Sequence, residues 1–149
     1  MDLDLVEARW RLGVFPPEGL PDVARRAIAD GQGGVALEAL AELDRPTRSA
    51  AGSLFEDALD ELGRSRMALE DAAVLVARDL ARRIVSGVLT PREGAHKIAW
   101  EVWDRAREVE RLGVFVTLLD KRERERDHRD MVDEAIRREA QRLLRDGHS

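Results

Sequence analysis

Apolar residues recur along this chain at intervals of three and four, and nowhere do four or more residues alternate cleanly between apolar and polar beside a turn signal. That pattern fits the 3.6-residue period of a helix and denies a half-buried strand its two-residue repeat. Residue usage agrees, since Leu, Ala, Arg and Glu dominate and there are three Thr and no Tyr. The fold class that follows is all-α, a compact irregular bundle of about seven helices. At 149 residues, 44% apolar and 37% charged, the chain is too apolar for disorder and too charged for a membrane protein. One hydrophobic core is the expectation for this length.

Glycine and proline punctuate the helices. A first helix near Asp4 to Leu12 ends at Gly13, before Pro16-Pro17. A second opens with Pro21, carries Val23, Ala24, Ala27 and Ile28 on one face, and stops at Gly31. A third runs from Val35 to Leu43, and a fourth closes at Gly63 behind the stripe Leu54, Phe55, Ala58, Leu59 and Leu62. The fifth, about Leu69 to Ser86, has the widest apolar arc, so it and the sixth belong at the centre of the core. Thr90-Pro91-Arg92-Glu93 starts the sixth helix with a capping hydroxyl, a proline at the first helical position and Glu three residues after the cap.

Charge is distributed unevenly. The formal net charge of -5 arises entirely in residues 1–119, whereas 120–149 carry nine basic and nine acidic residues. Residues 1–119 read as the helical core. Residues 120–149 read as a charged connector followed by a C-terminal helix of the same domain, packed on the outside by the stripe Val132, Ile136, Ala140 and Leu143. Asp133 to Arg137 and Glu134 to Arg138 are spaced for i,i+4 ion pairs along it. The pentapeptide Arg11-Leu12-Gly13-Val14-Phe15 recurs as residues 111–115, but its flanks diverge at once. Both copies read as glycine at a helix end or bend with an aromatic ring tucked beneath.

Leu20-Pro21 ahead of a helix ending at Gly31, the run Ser86-Gly87-Val88-Leu89-Thr90-Pro91, and Glu93-Gly94-Ala95 followed by Ile98 together resemble a family of small all-helical bacterial proteins with no known activity. The resemblance covers most of residues 10–119. It implies a helical fold and carries over no activity and no functional residue.

Several function classes fall away on composition. Without cysteine there are no disulfides, thiolate metal sites or thiol nucleophiles. The acidic start Met-Asp-Leu-Asp lacks the basic and apolar regions of an export signal, so the expected location is the cytoplasm. The longest apolar stretches, near Ala72 to Ala77 and Val114 to Leu119, fall far short of the roughly 20 residues that span a bilayer. An excess of acid also argues against coating nucleic acid. None of Ser49, Ser53, Ser65, Ser86 and Ser149 lies in Gly-x-Ser-x-Gly, and one of the three histidines is His148 at the chain end. Gly31-Gln32-Gly33-Gly34 follows a helix and lacks the Lys-Ser/Thr of a phosphate loop. Glu56-Asp57 and Asp60-Glu61 read as a solvated helix face. No catalytic residue, cofactor or metal is therefore assigned.

One cluster stands out on the sixth helix. At 100° per residue Ala95, Ile98, Ala99, Val102, Ala106 and Val109 form its core face, and Glu93, His96, Trp100, Trp103 and Arg107 form a second strip. His96, Trp100, Trp103 and Arg107 are the candidate partner-binding residues, with Arg107 spaced for a cation–π contact to Trp103. The alternative is that both indoles fill the angle between helices. Glu93/His96 and Glu125/His128 match the Glu-x-x-His pairs of di-metal bundles, but Glu93 is wanted by the cap and Glu125 to His128 has no apolar wall. The expected function is a non-catalytic protein acting through protein–protein contacts. The alternatives are a helix-turn-helix nucleic-acid binder built on the fifth and sixth helices, or an enzyme or small-molecule binder with a pocket between helices. A dimer through the last helix remains open.

Overall fold

The computed structural model describes residues 1–146, so His148 and Ser149 lie outside the described residues. Eight α-helices occur among the described residues, and no strand. The chain divides into two compact units, Met1–Met67 and Ala68 onward. This division falls far from residue 119, where the composition changes, because helix packing groups the elements and the charge pattern does not.

The first unit holds α1 (Leu3–Arg11), α2 (Leu20–Ala29), α3 (Val35–Ala41) and α4 (Arg48–Glu61), with a 3-10 turn at Pro17–Gly19. Three of the expected stops are alike. Gly13, Gly31 and Gly63 all have positive φ, where a side chain is disfavoured. At Gly13 the Val14 amide donates to the Arg9 carbonyl and the Gly13 amide to that of Trp10, the paired bonds that end a helix in a left-handed residue. Leu20, Val23, Ala24, Ala27, Leu37, Leu40, Ala51, Phe55 and Ala58 form the core, with Trp10 and Phe15 packed against it. Ile28, expected on that face, is 38% exposed.

The helix α3 is started from a distance. Gly34 has φ 139° and offers no side-chain cap, so the first free amides of α3 are met by the Glu61 carboxylate at the end of α4, 2.9 Å from Val35 N and 3.0 Å from Ala36 N. Glu61 stays exposed, as its place on the polar face implies, and also serves as a cap.

The second unit holds α5 (Leu69–Val85), α6 (Pro91–Lys97), α7 (Val114–Arg124) and α8 (Arg129–Arg145). The apolar face of α5 supplies the buried Ala73, Val76, Ala77, Leu80 and Ile84. The expected stripe of α8, Val132, Ile136, Ala140 and Leu143, is buried throughout and α8 packs along α5, leaving its charged side to solvent. Of the two ion pairs expected on α8, Glu134 and Arg138 approach to 3.7 Å, while Asp133 turns to α7 and accepts from Arg122 Nε at 2.7 Å. That hydrogen bond outweighs partial burial and raises the pKa of the Arg122 guanidinium. The polar run after residue 119 is partly helix, since α7 continues to Arg124 before a 3-10 turn, Arg126–His128, leads into α8. This accounts for the eighth helix.

Candidate functional site

The cap predicted for α6 forms: Thr90 Oγ1 accepts from Glu93 N at 3.1 Å, with Pro91 at the first helical position. Gly94 is buried where α6 meets α5, and a Cβ there would overlap Ile84. Of the apolar face read from the sequence, Ala95, Ile98, Ala99, Val102 and Ala106 are fully enclosed, whereas Val109, beyond the end of the helix, is only half-buried.

The backbone, however, does not continue as a regular helix. Residues Ile98–Val102 form a π turn, Trp103–Arg105 a 3-10 turn, and Ala106 leaves the helical region at φ -144°. The wide turn and the tight one that follows divide the strip read from the sequence. Trp100, inside the π turn, points outward with 53% of its surface exposed, and its ring lies 6.2 Å from that of exposed His96. Around them Arg92, Glu93, Lys97 and Glu101 line a shallow surface concavity. Lys97 and Glu101 face each other at 3.6 Å.

Trp103 instead turns inward and is half-buried, its indole against Gly113, where an added Cβ would sit 3.4 Å from the ring. The Arg107 guanidinium covers it at 4.9 Å and accepts orientation from Asp104, to which Arg107 Nη2 donates at 2.8 Å. The cation–π contact expected along a helix is thus made by an irregular turn. His96 and Trp100 form one exposed group, and Trp103 with Arg107 forms a second, half-buried one. Glu125 and His128 lie at the turn between α7 and α8, and among the described residues no three potential metal ligands come together.

Sequence reasoning missed a cavity in the first unit. It lies between α1 and the end of α4, has a volume of ≈ 170 Å³, and is lined by Glu7, Trp10, Leu59, Arg64 and Met67 among others. Glu7, 6% exposed, is the buried charged residue of the described chain. Its position was legible in principle: it follows Leu3 by four and precedes Trp10 by three, on the apolar stripe of α1. Arg64, just past Gly63, donates from Nε to Glu7 Oε1 at 3.2 Å and also binds Asp4. Burial lowers the pKa of this guanidinium, but the hydrogen bonds and charges of Asp4 and Glu7 together outweigh it and raise the value.

Comparison of the chain with family models, with curated proteins and with solved structures gives no match. Among the described residues no helix is long and apolar enough to cross a membrane.

Proposed function

We propose that the protein acts by contact with another protein, and that the face carrying His96 and Trp100 makes this contact. The exposure of Trp100 carries the reading. An indole offers roughly 200 Å² to burial, so leaving half of it in water forgoes about 2.5 kcal/mol. Trp is also the side chain most enriched at interface hot spots. The π turn supports the same reading, because such bulges recur where a helix must aim a side chain. Behind this face Trp103, held by Gly113 and Arg107, serves as a brace and Arg107 as its polar rim.

Affinity capture from the cell of origin tests the proposal. The wild-type chain and a control, Met131→Ala, which removes an exposed apolar side chain of α8, should retain the same specific partners, and Trp100→Ala should lose them. Partners retained by Trp100→Ala would remove the His96–Trp100 face from the account. The helix-turn-helix alternative is less favoured, since α6 has only seven residues and Lys97 is engaged by Glu101. No binding to random duplex at low salt is expected.

A further inference from the structure

We infer that the groove between α3 and α4 is a docking site for a basic amphipathic helix of another protein. The groove lies within the first unit and does not depend on the Trp100 face of the second.

Its floor is apolar and open. Val35 and Ala39, one turn apart on α3, line it with Leu54 of α4. Val35 is 80% exposed, more than any other large apolar side chain of the described residues, and Ala39 is exposed as well. The seven residues of α3 rise about 10 Å, so the groove accommodates roughly two turns of a docked helix. An amphipathic helix buries its apolar residues in a groove of this kind.

Charge selects which helix. The rim is Asp57, Asp60 and Glu61, three and four residues apart along one edge of α4, and no basic residue lines the groove. Glu61 is held by the first amides of α3, whereas Asp57 and Asp60 are exposed and form no ion pair among the described residues. The concavities at Trp100, between α7 and α8, and beside α1 each carry both signs of charge. The rim also sits at the unfavourable end of its helix. The last turn of α4 has no base, although the negative end of the helix dipole favours cations there. Lys or Arg side chains from a partner would offset both the mutual repulsion of the carboxylates and their repulsion from the helix end. The three carboxylates do not converge as metal ligands, so cations spaced along a helix, beside an apolar stripe, match this surface better than one ion. A second copy of the chain is a poorer match. Beside exposed Met131, the cations Lys121 and Arg138 are already taken by Glu125 and Glu134.

Fluorescence anisotropy on the full chain tests the inference, with a labelled helical peptide of Lys and Leu, about 18 residues long, its Leu on one face, at about 0.15 M salt. Kd should be on the order of 10–100 μM, at least about tenfold weaker with Glu in place of Lys and about fivefold weaker with Ala in place of Leu. Asp57→Asn with Asp60→Asn should weaken binding about tenfold and Val35→Ser about threefold, with helix content by circular dichroism unchanged. Glu123→Gln with Asp127→Asn removes the same charge from exposed positions of the second unit and should change Kd by less than about twofold. Trp100→Ala should also leave it unchanged, so failure of the Trp100 reading and failure of this one are separable. Equal weakening by the two charge-removing pairs would reduce the attraction to net charge and overturn the inference. So would equally tight binding of the Glu peptide, or loss of binding by Trp100→Ala alone. A dimer in sedimentation that Asp57→Asn with Asp60→Asn abolishes would give the groove to a second copy and overturn it as well. If that double variant does not fold, Val35→Ser and the ranking of the three peptides decide.

Discussion

Replacing Gly94 by Ala sets two effects of opposite sign against each other. In a helix interior Ala is favoured over Gly by about 1 kcal/mol, so on propensity alone Gly94→Ala should stabilise. The packing of α6 on α5 reverses this. The new Cβ would fall on Cγ1 and Cδ1 of Ile84, which is 1% exposed. Cγ1 is attached directly to Cβ of a β-branched residue in a helix, so it has little rotamer freedom with which to withdraw. Overpacking of this kind costs about 1–3 kcal/mol, and the depth of the overlap places it in the upper half of that range. The expected net loss is about 1–2 kcal/mol. Urea unfolding followed by tryptophan fluorescence in a Trp10→Phe background reads the second unit alone, and the midpoint should fall by roughly 1 M. Ile84→Ala removes the obstructing atoms, so the two substitutions should be less than additive, with a coupling of about 1 kcal/mol or more. A Gly94→Ala chain more stable than wild type, or an additive double variant, would refute this packing argument.

Three further outcomes follow from the same reasoning. The two copies of Arg-Leu-Gly-Val-Phe should respond unequally to Gly→Ala: Gly13 has φ 77° and should cost about 1–2 kcal/mol, while Gly113, with φ -63° and only ordinary contact to Trp103, should change stability by less than about 0.5 kcal/mol in thermal unfolding. Glu61→Ala removes the acceptor of the α3 amides and should lower stability by about 1–2 kcal/mol, with hydrogen exchange at Val35 and Ala36 accelerated ahead of the rest of the unit. Asp133→Ala should leave the partly buried Arg122 unpaired and cost more than Glu134→Ala, whose partners Arg137 and Arg138 stay in water; roughly 1–2 against 0.5 kcal/mol in denaturant titration. Equal losses would contradict it.

The helices were legible because their signals are local. Thr90-Pro91 starts α6, Gly13, Gly31 and Gly63 end α1, α2 and α4, and the α8 stripe is buried as its spacing implies. What the sequence concealed depends on partners distant along the chain. Nothing near Val35 says that Glu61, 26 residues on, will cap α3. Identical residues at 11–15 and 111–115 take different backbones, since Gly113 leads into α7 with an indole lying over it, whereas Gly13 ends α1. The candidate strip was drawn on an ideal helix, and the change to a π turn at Ile98–Val102 separates Trp100 from Trp103. The Glu7 cavity escaped notice because it needs Arg64 and Met67, which no periodicity joins to α1.

The direct test of the Trp100 face is site-specific photocrosslinking in the cell of origin, with a photoreactive aromatic residue placed in turn at positions 100, 103 and 131. Discrete adducts with one protein partner from position 100, and none from the half-buried position 103 or the exposed position 131 on α8, are the predicted result. Adducts from position 131 with none from position 100 would contradict the account and move the contact to α8.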